Sequence, residues 1–139
     1  MTEQRLFVYG TLLTGSGWRA INRLMRKQAR RLGPASVQGQ LYDLGDYPAA
    51  IPSSISADRV YGEAYSVSQN DRTLKILDRY EDFDPERPES SLYIRRSVTA
   101  LLLPSQRPIT CWIYWFNGPL PFRRRIRSGR YAAKAQPLR

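Results

Sequence analysis

The sequence contains no histidine and one cysteine, Cys111. Without histidine there is no His-based catalytic triad and no imidazole to bind a metal. A lone cysteine excludes an internal disulfide and a thiolate cluster for zinc. Acidic residues stop at Glu89, and residues 90–139 carry ten basic groups and no acidic one. No apolar run approaches the ~20 residues that a bilayer-spanning helix needs. The start, Met-Thr-Glu-Gln-Arg, has no apolar signal segment. These absences predict a soluble protein of a reducing compartment, the cytoplasm, with no membrane contact.

What is present is enough for one core. The chain has 139 residues, of which 42% are hydrophobic and 12% aromatic, the size and content of a single domain. The formal net charge is +10, and it is unevenly spread. Residues 1–42 carry seven basic groups and one acidic, whereas residues 43–89 carry five basic and eleven acidic. The excess therefore sits in two segments. Arg19, Arg23, Arg26 and Arg30 recur at helical spacing beside the apolar Trp18, Ile21, Leu24, Met25 and Leu32. Arg123, Arg124, Arg125, Arg127 and Arg130 crowd the end of the chain. Each segment reads either as a solvated face or as a surface for nucleic acid. The proline breaks at Pro119 and Pro121 divide the chain into a domain over 1–121 and a basic C-terminal tail over 122–139.

Periodicity predicts the elements. Arg5–Tyr9 reads as a short buried strand closed by Gly10, and a basic helix then runs from Trp18 to Leu32, stopped by Gly33-Pro34. Ser36–Leu44 and Val60–Val67 read as strands, with Gly62 marking a bulge or a close backbone approach. Between them, Gly45–Pro52 reads as a turn-rich crossing that holds Tyr47-Pro48. A second helix spans Ser68–Phe83, with Leu74, Leu77 and Glu81 on one face. Tyr93–Leu103 and Ile109–Phe116 are the last strands. The final one is apolar on both faces, Ile109, Cys111, Ile113 and Trp115 on one and Trp112, Tyr114 and Phe116 on the other, as in a central strand or a barrel wall. The order β-α-β-β-α-β-β is an α+β pattern, and the strand count favours a strongly curved mixed sheet or small barrel.

Three groups of residues can do chemistry. Glu81 is a carboxylate on an apolar helix face, so it is either paired, with Arg95 or Arg96, or working as an acid/base. Burial and the negative end of the helix dipole would both raise its pKa toward that of a usable general base. Val8-Tyr9-Gly10-Thr11-Leu12 ends a strand at a glycine, where successive N–H groups can converge on a carboxylate or an oxyanion. Otherwise it is a plain turn. The Gly-Lys-Ser/Thr ending of a phosphate-binding loop is missing. Tyr47, Tyr93 and Tyr114, together with Arg95, bring polar atoms onto strands and the crossing, where they either pack or bind. Cys111 alternates with apolar residues and reads as inert core.

In combination these segments are far more specific. Val8-Tyr9-Gly10-Thr11-Leu12, Leu41-Tyr42-Asp43-Leu44-Gly45-Asp46-Tyr47-Pro48, Val60-Tyr61-Gly62-Glu63-Ala64-Tyr65, Leu77-Asp78-Arg79-Tyr80-Glu81, Tyr93-Ile94-Arg95-Arg96-Ser97-Val98, Cys111-Trp112-Ile113-Tyr114 and Ile126-Arg127-Ser128-Gly129 follow in that order. The chain thereby resembles the gamma-glutamylcyclotransferase-like superfamily, in its AIG2-like and gamma-glutamylamine cyclotransferase branch, from about Leu6 to Gly129. The resemblance implies a small mixed β-barrel flanked by helices. It also implies release of 5-oxoproline from a gamma-glutamyl amine or peptide, without metal or cofactor. It assigns the glutamyl-holding role to Tyr9, Gly10, Thr11 and Leu12 and the acid/base role to Glu81. Tyr47, Tyr93 and Tyr114 join them as candidate substrate-binding residues. Asp82 stands where the family usually has glycine, and the tail is richer in arginine than the family pattern. A binding module of the same fold, for an anionic small molecule or nucleic acid, is the alternative reading.

Overall fold

Leu6 and Val8 face one side of the first strand and Phe7 and Tyr9 the other, and all four are buried. A strand apolar on both sides needs cover on both, and the fold supplies it with a closed barrel and a helix. The computed structural model describes residues 4–9, 27, 29–45, 48–67, 71–80, 83–120 and 124–131. Its elements are β1 (Gln4–Val8), β2 (Ala29–Asp43), β3 (Pro48–Pro52), β4 (Arg59–Val67), α1 (Asp71–Tyr80), a 3-10 turn (Pro88–Ser90), β5 (Tyr93–Leu102), β6 (Arg107–Phe116) and β7 (Arg125–Ile126).

Five strands close on themselves in the order β2-β4-β1-β6-β5, and β5 returns to β2 through Ala35↔Leu102, Ser36↔Leu101 and Val37↔Ala100. The single parallel contact among the described strand pairs is β1 with β6, Leu6↔Trp112, so the barrel is mixed. The long β2 continues past the barrel and pairs with β3 and β7. Phe7, Tyr9, Val37, Val60, Ile109, Cys111, Ile113 and Trp115 belong to one core cluster, and Leu6, Val8, Tyr93 and Tyr114 to a second with Leu74 and Leu77 of α1. The two apolar faces expected of the last long strand therefore serve the barrel interior and the layer beneath α1. Burial pushes the Cys111 thiol up to about 11, which keeps it protonated and inert.

Three expectations need correction. The basic helix does not run to Leu32: Lys27 is helical, but β2 already begins at Ala29 and pairs Ala29–Arg31 with Tyr65–Val67. Gly33, at φ +138°, lies where the β2–β4 register shifts after Arg31. It makes a kink inside a strand, a conformation glycine adopts without strain, and not a helix cap. Arg31 there binds the Glu63 carboxylate with Nη2 at 2.8 Å. The crossing over Gly45–Pro52 contains a strand, β3, in register with Gly39–Asp43. Its prolines sit at the two ends, where a missing N–H is tolerated.

The boundary expected at residue 121 does not mark the edge of the sheet. Within 122–139, β7 pairs Ile126 with Leu41 and Arg125 with Tyr42. The Gly129 carbonyl accepts the Tyr61 N–H at 2.8 Å. Arg125 Nη2 lies 2.9 Å from Asp58 Oδ1. Asp58 also accepts from Gln40 Nε2 (2.8 Å) and Ser53 Oγ (2.7 Å), so it ties β2, the β3–β4 loop and β7 together. The Gln40 and Ser53 hydrogen bonds, aided by Arg125, hold the Asp58 carboxyl at about 2. That is below the ~3.9 of an unfolded chain. The ionised form therefore stabilises the fold above about pH 4, and this contribution is lost as pH falls toward about 2. In Asp58→Asn, urea midpoints measured from pH 5 downward should fall less steeply than in the wild type. Equal slopes would refute the assignment.

Gly62 bears out the close approach expected of it: a Cβ there would stand 2.0 Å from the Val8 carbonyl oxygen and 3.0 Å from Phe7 Cζ. Both contacts are to β1, so any side chain pushes β1 away from β4. Gly62→Ala should lose about 1–3 kcal/mol in urea unfolding, the usual cost of overpacking. A variant as stable as the wild type would show that β1 shifts freely.

Candidate functional site

Glu81, Gly10, Thr11, Leu12 and Tyr47 lie outside the described residues. Tyr9, Tyr93 and Tyr114 are described, and all three are buried. They meet at one end of the barrel, where β1 and β6 finish and β3 and β5 begin. The Tyr9 hydroxyl donates to the Tyr114 carbonyl at 2.5 Å and accepts the Ala50 N–H at 3.4 Å. The Tyr93 hydroxyl donates to the Pro48 carbonyl at 2.8 Å, and its ring meets Phe116 edge-on at 5.4 Å. Each of these hydroxyls thus joins one strand end to another. Tyrosine suits the task, because its ring fills the core while its hydroxyl reaches a backbone group.

The Tyr114 hydroxyl donates to Asp78 Oδ1 at 2.6 Å. Asp78 is the residue that sequence reasoning missed. It was not among the residues placed on the apolar face of its helix, yet it is only 4% exposed. Arg95 Nε and Nη2 reach its two carboxylate oxygens at 2.7 and 3.1 Å, a forked pair. Arg95, one of the two arginines named from sequence as a partner for Glu81, thus binds Asp78. The signal was present: Asp78 follows Leu74 by four, so the two share one side of the helix. Arg95 and Tyr114 face one another across β5 and β6, which brings both donors to the same carboxylate.

The network extends along the face that α1 covers. The Arg95 guanidinium lies over the Trp112 ring, 4.5 Å from its centroid. Trp112 Nε1 in turn donates to Gln4 Oε1 at 2.6 Å. The backbone carbonyl of Asp78 accepts the Phe83 N–H at 2.8 Å. This is the six-to-one closure typical of a helix C-terminus.

Glu63, on β4, is a second partly buried acid. Burial pushes its carboxyl up, but hydrogen bonds from Arg31 and Tyr65 prevail and hold it below its ordinary value. It is a held anion on the barrel wall, and the Tyr65 phenol is pushed up to about 12 by burial and by Glu63. Among the described residues no group of three or more Cys, Asp or Glu is placed to hold a metal ion. No helix among them is long and apolar enough to cross a membrane.

Comparison with known proteins agrees with this architecture. The model of a family described as "Gamma-glutamyl cyclotransferase, AIG2-like" matches residues 6–133. A gamma-glutamylcyclotransferase family protein, YtfP, of Citrobacter rodentium is 31% identical over 134 residues, covering 95% of this chain and 98% of its own. YtfP of Escherichia coli K12 is 32% identical over 127 residues, covering 90% and 93%. Among solved structures, an AIG2-like protein from Mus musculus superposes with a TM-score of 0.74 at 22% identity, covering 100% of this chain and 95% of its own. The last likeness is one of fold.

Proposed function

This chain belongs to the gamma-glutamyl cyclotransferase, AIG2-like family, and from that membership we propose that it releases 5-oxoproline from a gamma-glutamyl amine or peptide. The reaction is an internal acyl transfer. The substrate's α-amine attacks its own γ-carbonyl, a C–N bond forms to close a five-membered ring, and the C–N bond to the leaving amine breaks. The α-ammonium must first lose a proton, and the leaving amine must gain one. A single carboxyl group can carry that proton from one nitrogen to the other. Glu81 takes this role in the proposal. No water is consumed and no electrons change hands. The nucleophile belongs to the substrate, so a chain without histidine and with an inert cysteine loses nothing.

Holding the substrate folded is the larger task, because alignment of amine and carbonyl supplies effective molarity. Backbone N–H groups of Gly10, Thr11 and Leu12 would hold the glutamyl carboxylate or the developing oxyanion, with Tyr9 fixing where that segment starts. Tyr47, Tyr93 and Tyr114 complete the proposed binding set.

The observation that carries the reading is the convergence of anchors. Tyr9 precedes Gly10, Pro48 follows Tyr47, and Asp78 is three residues before Glu81 in the chain. Tyr9 is joined to Asp78 through Tyr114, and to the strand that starts at Pro48 through the Ala50 N–H. Three Cα–Cα steps of about 3.8 Å bound the distance from Asp78 to Glu81.

The test is to incubate the protein with gamma-glutamyl amines, gamma-glutamyl amino acids and gamma-glutamyl-lysine peptides and to follow 5-oxoproline. Release from at least one class is expected. Release from none would refute the reading.

A further inference from the structure

We propose that Asp78 is a positioning residue: clamped by Arg95 and Tyr114, it fixes the C-terminal turn of α1 against the ends of β1 and β6. Through that turn it sets Glu81 relative to the Tyr9 end of the barrel. The inference rests on the reading above only in what it says of Glu81.

Asp78 is held twice. Its carboxylate accepts Arg95 Nε, Arg95 Nη2 and the Tyr114 hydroxyl, at 2.7, 3.1 and 2.6 Å. Its carbonyl accepts the Phe83 N–H at 2.8 Å. The same residue therefore grips the barrel with its side chain and ties Phe83 to α1 with its backbone. Glu81 falls between Asp78 and Phe83 in sequence.

The grip is directional. A forked guanidinium–carboxylate pair restricts rotation as well as distance, and the tyrosine hydroxyl fixes a third line. Leu74 and Leu77 hold the helix by packing, which is not directional and permits sliding. On the barrel side, Tyr114 joins the clamp to β1, because its carbonyl accepts the Tyr9 hydroxyl. Arg95 is itself steadied by the Trp112 ring, 4.5 Å away, and Trp112 by Gln4. The polar links thus join the end of α1 to β5 through Arg95 and to β6 through Tyr114, and β6 to β1 through Tyr9 and Gln4.

A clamp that only added stability would have no preferred readout. A clamp that positions should loosen one place when it is cut. Three full-length variants separate the two. Asp78→Asn removes the charge and sets an amide N–H₂ against the guanidinium or the hydroxyl. Tyr114→Phe removes one of the three bonds and serves if Asp78→Asn does not fold. Val37→Ala opens a cavity at the other end of β5, opposite Ala100, and is the control for general loss of stability. Amide hydrogen exchange should speed up at Phe83 and across 79–83 in Asp78→Asn by about tenfold or more, and less in Tyr114→Phe. Val37→Ala should leave that segment unchanged relative to the rest of the chain. Unchanged exchange at Phe83 in both clamp variants, or an equal rise in all three variants, overturns the proposal.

The second arm uses a gamma-glutamyl compound that the wild type turns over. Asp78→Asn should lower kcat by about 10²-fold, the effect of a small misplacement of a reacting group, with KM changed far less. A kcat that follows stability alone, equal in Asp78→Asn and in an equally destabilised Val37→Ala, also overturns it. If the wild type turns over no such compound, the proposed activity fails, and the exchange arm still decides the role of Asp78.

Discussion

Glu81→Gln should fold like the wild type and release 5-oxoproline about 10²–10⁴ times more slowly, the usual worth of a positioned acid/base. Glutamine keeps the size of the side chain and one acceptor oxygen, but it cannot shuttle a proton. Binding of a gamma-glutamyl analogue should change much less than kcat, because the carboxylate acts on the nitrogens and not on the glutamyl backbone. The pH profile should change too. In the wild type, kcat/KM should rise with an apparent pKa that reports the free acid/base, and in the variant that limb should flatten. Turnover near the wild-type rate would remove Glu81 from the mechanism, and loss of folding would give it a structural role instead. Asp82→Asn is the control, with most activity expected to remain. Asp78→Asn cannot serve as a second control, because Asp78 is the buried partner of Arg95.

Arg95→Met should lose about 3–5 kcal/mol in urea unfolding, the range for removing one member of a buried ion pair. The Asp78 side chain is 6% exposed and that of Arg95 17%, so water can do little to replace the lost guanidinium. Methionine would still pack on the Trp112 ring, which isolates the charge effect from the packing effect. The loss should be recovered in large part by adding Asp78→Leu and Tyr114→Phe, which removes the stranded carboxylate and the hydroxyl it accepts from. A single variant within about 1 kcal/mol of the wild type, the range of an exposed ion pair, would show that the pair is solvated in solution.

The contrast between Glu81 and Asp78 shows what could be read from residues alone. Strand periodicity located β1, β4, β5 and β6 to within two residues, since alternation in Leu6-Phe7-Val8-Tyr9 and in Ile109–Phe116 has one physical reading. Helical periodicity drew attention to the right face of α1 but not to Asp78 as the partner of Arg95, because spacing along the chain does not say which carboxylate a residue on a distant strand meets. The cross-strand partnership of Arg95 with Tyr114 decided it, and register between distant strands is not written in local pattern. Gly33-Pro34 was misread for a related reason. Glycine followed by proline ends a helix and also kinks a strand, and only pairing with β4 distinguishes the two. Tyr9, Tyr93 and Tyr114 were recognisable as candidates from chemistry, but the acceptors of their hydroxyls, the Tyr114 and Pro48 carbonyls and the Asp78 carboxylate, required the fold. Glu81, Gly10, Thr11, Leu12 and Tyr47 lie outside the described residues, so their roles rest on the proposal.

The position of β1 has a consequence for how the chain is made. It comes earliest in sequence among the described strands, yet its partners are Glu63–Val67 of β4 and Trp112 of β6. Neither flank comes from the next strand in sequence. Loop closure over such separations is slow, and contacts of this kind dominate folding time in barrels. The ribosome, at about 5–20 residues per second, exposes Leu6 to Tyr9 well before Trp112 exists. A chain halted anywhere before β6 keeps that apolar stretch with one flank bare, however well the rest has formed. Closure of the wall at β1 therefore waits for β6, and until then β1 is open to quality control during synthesis.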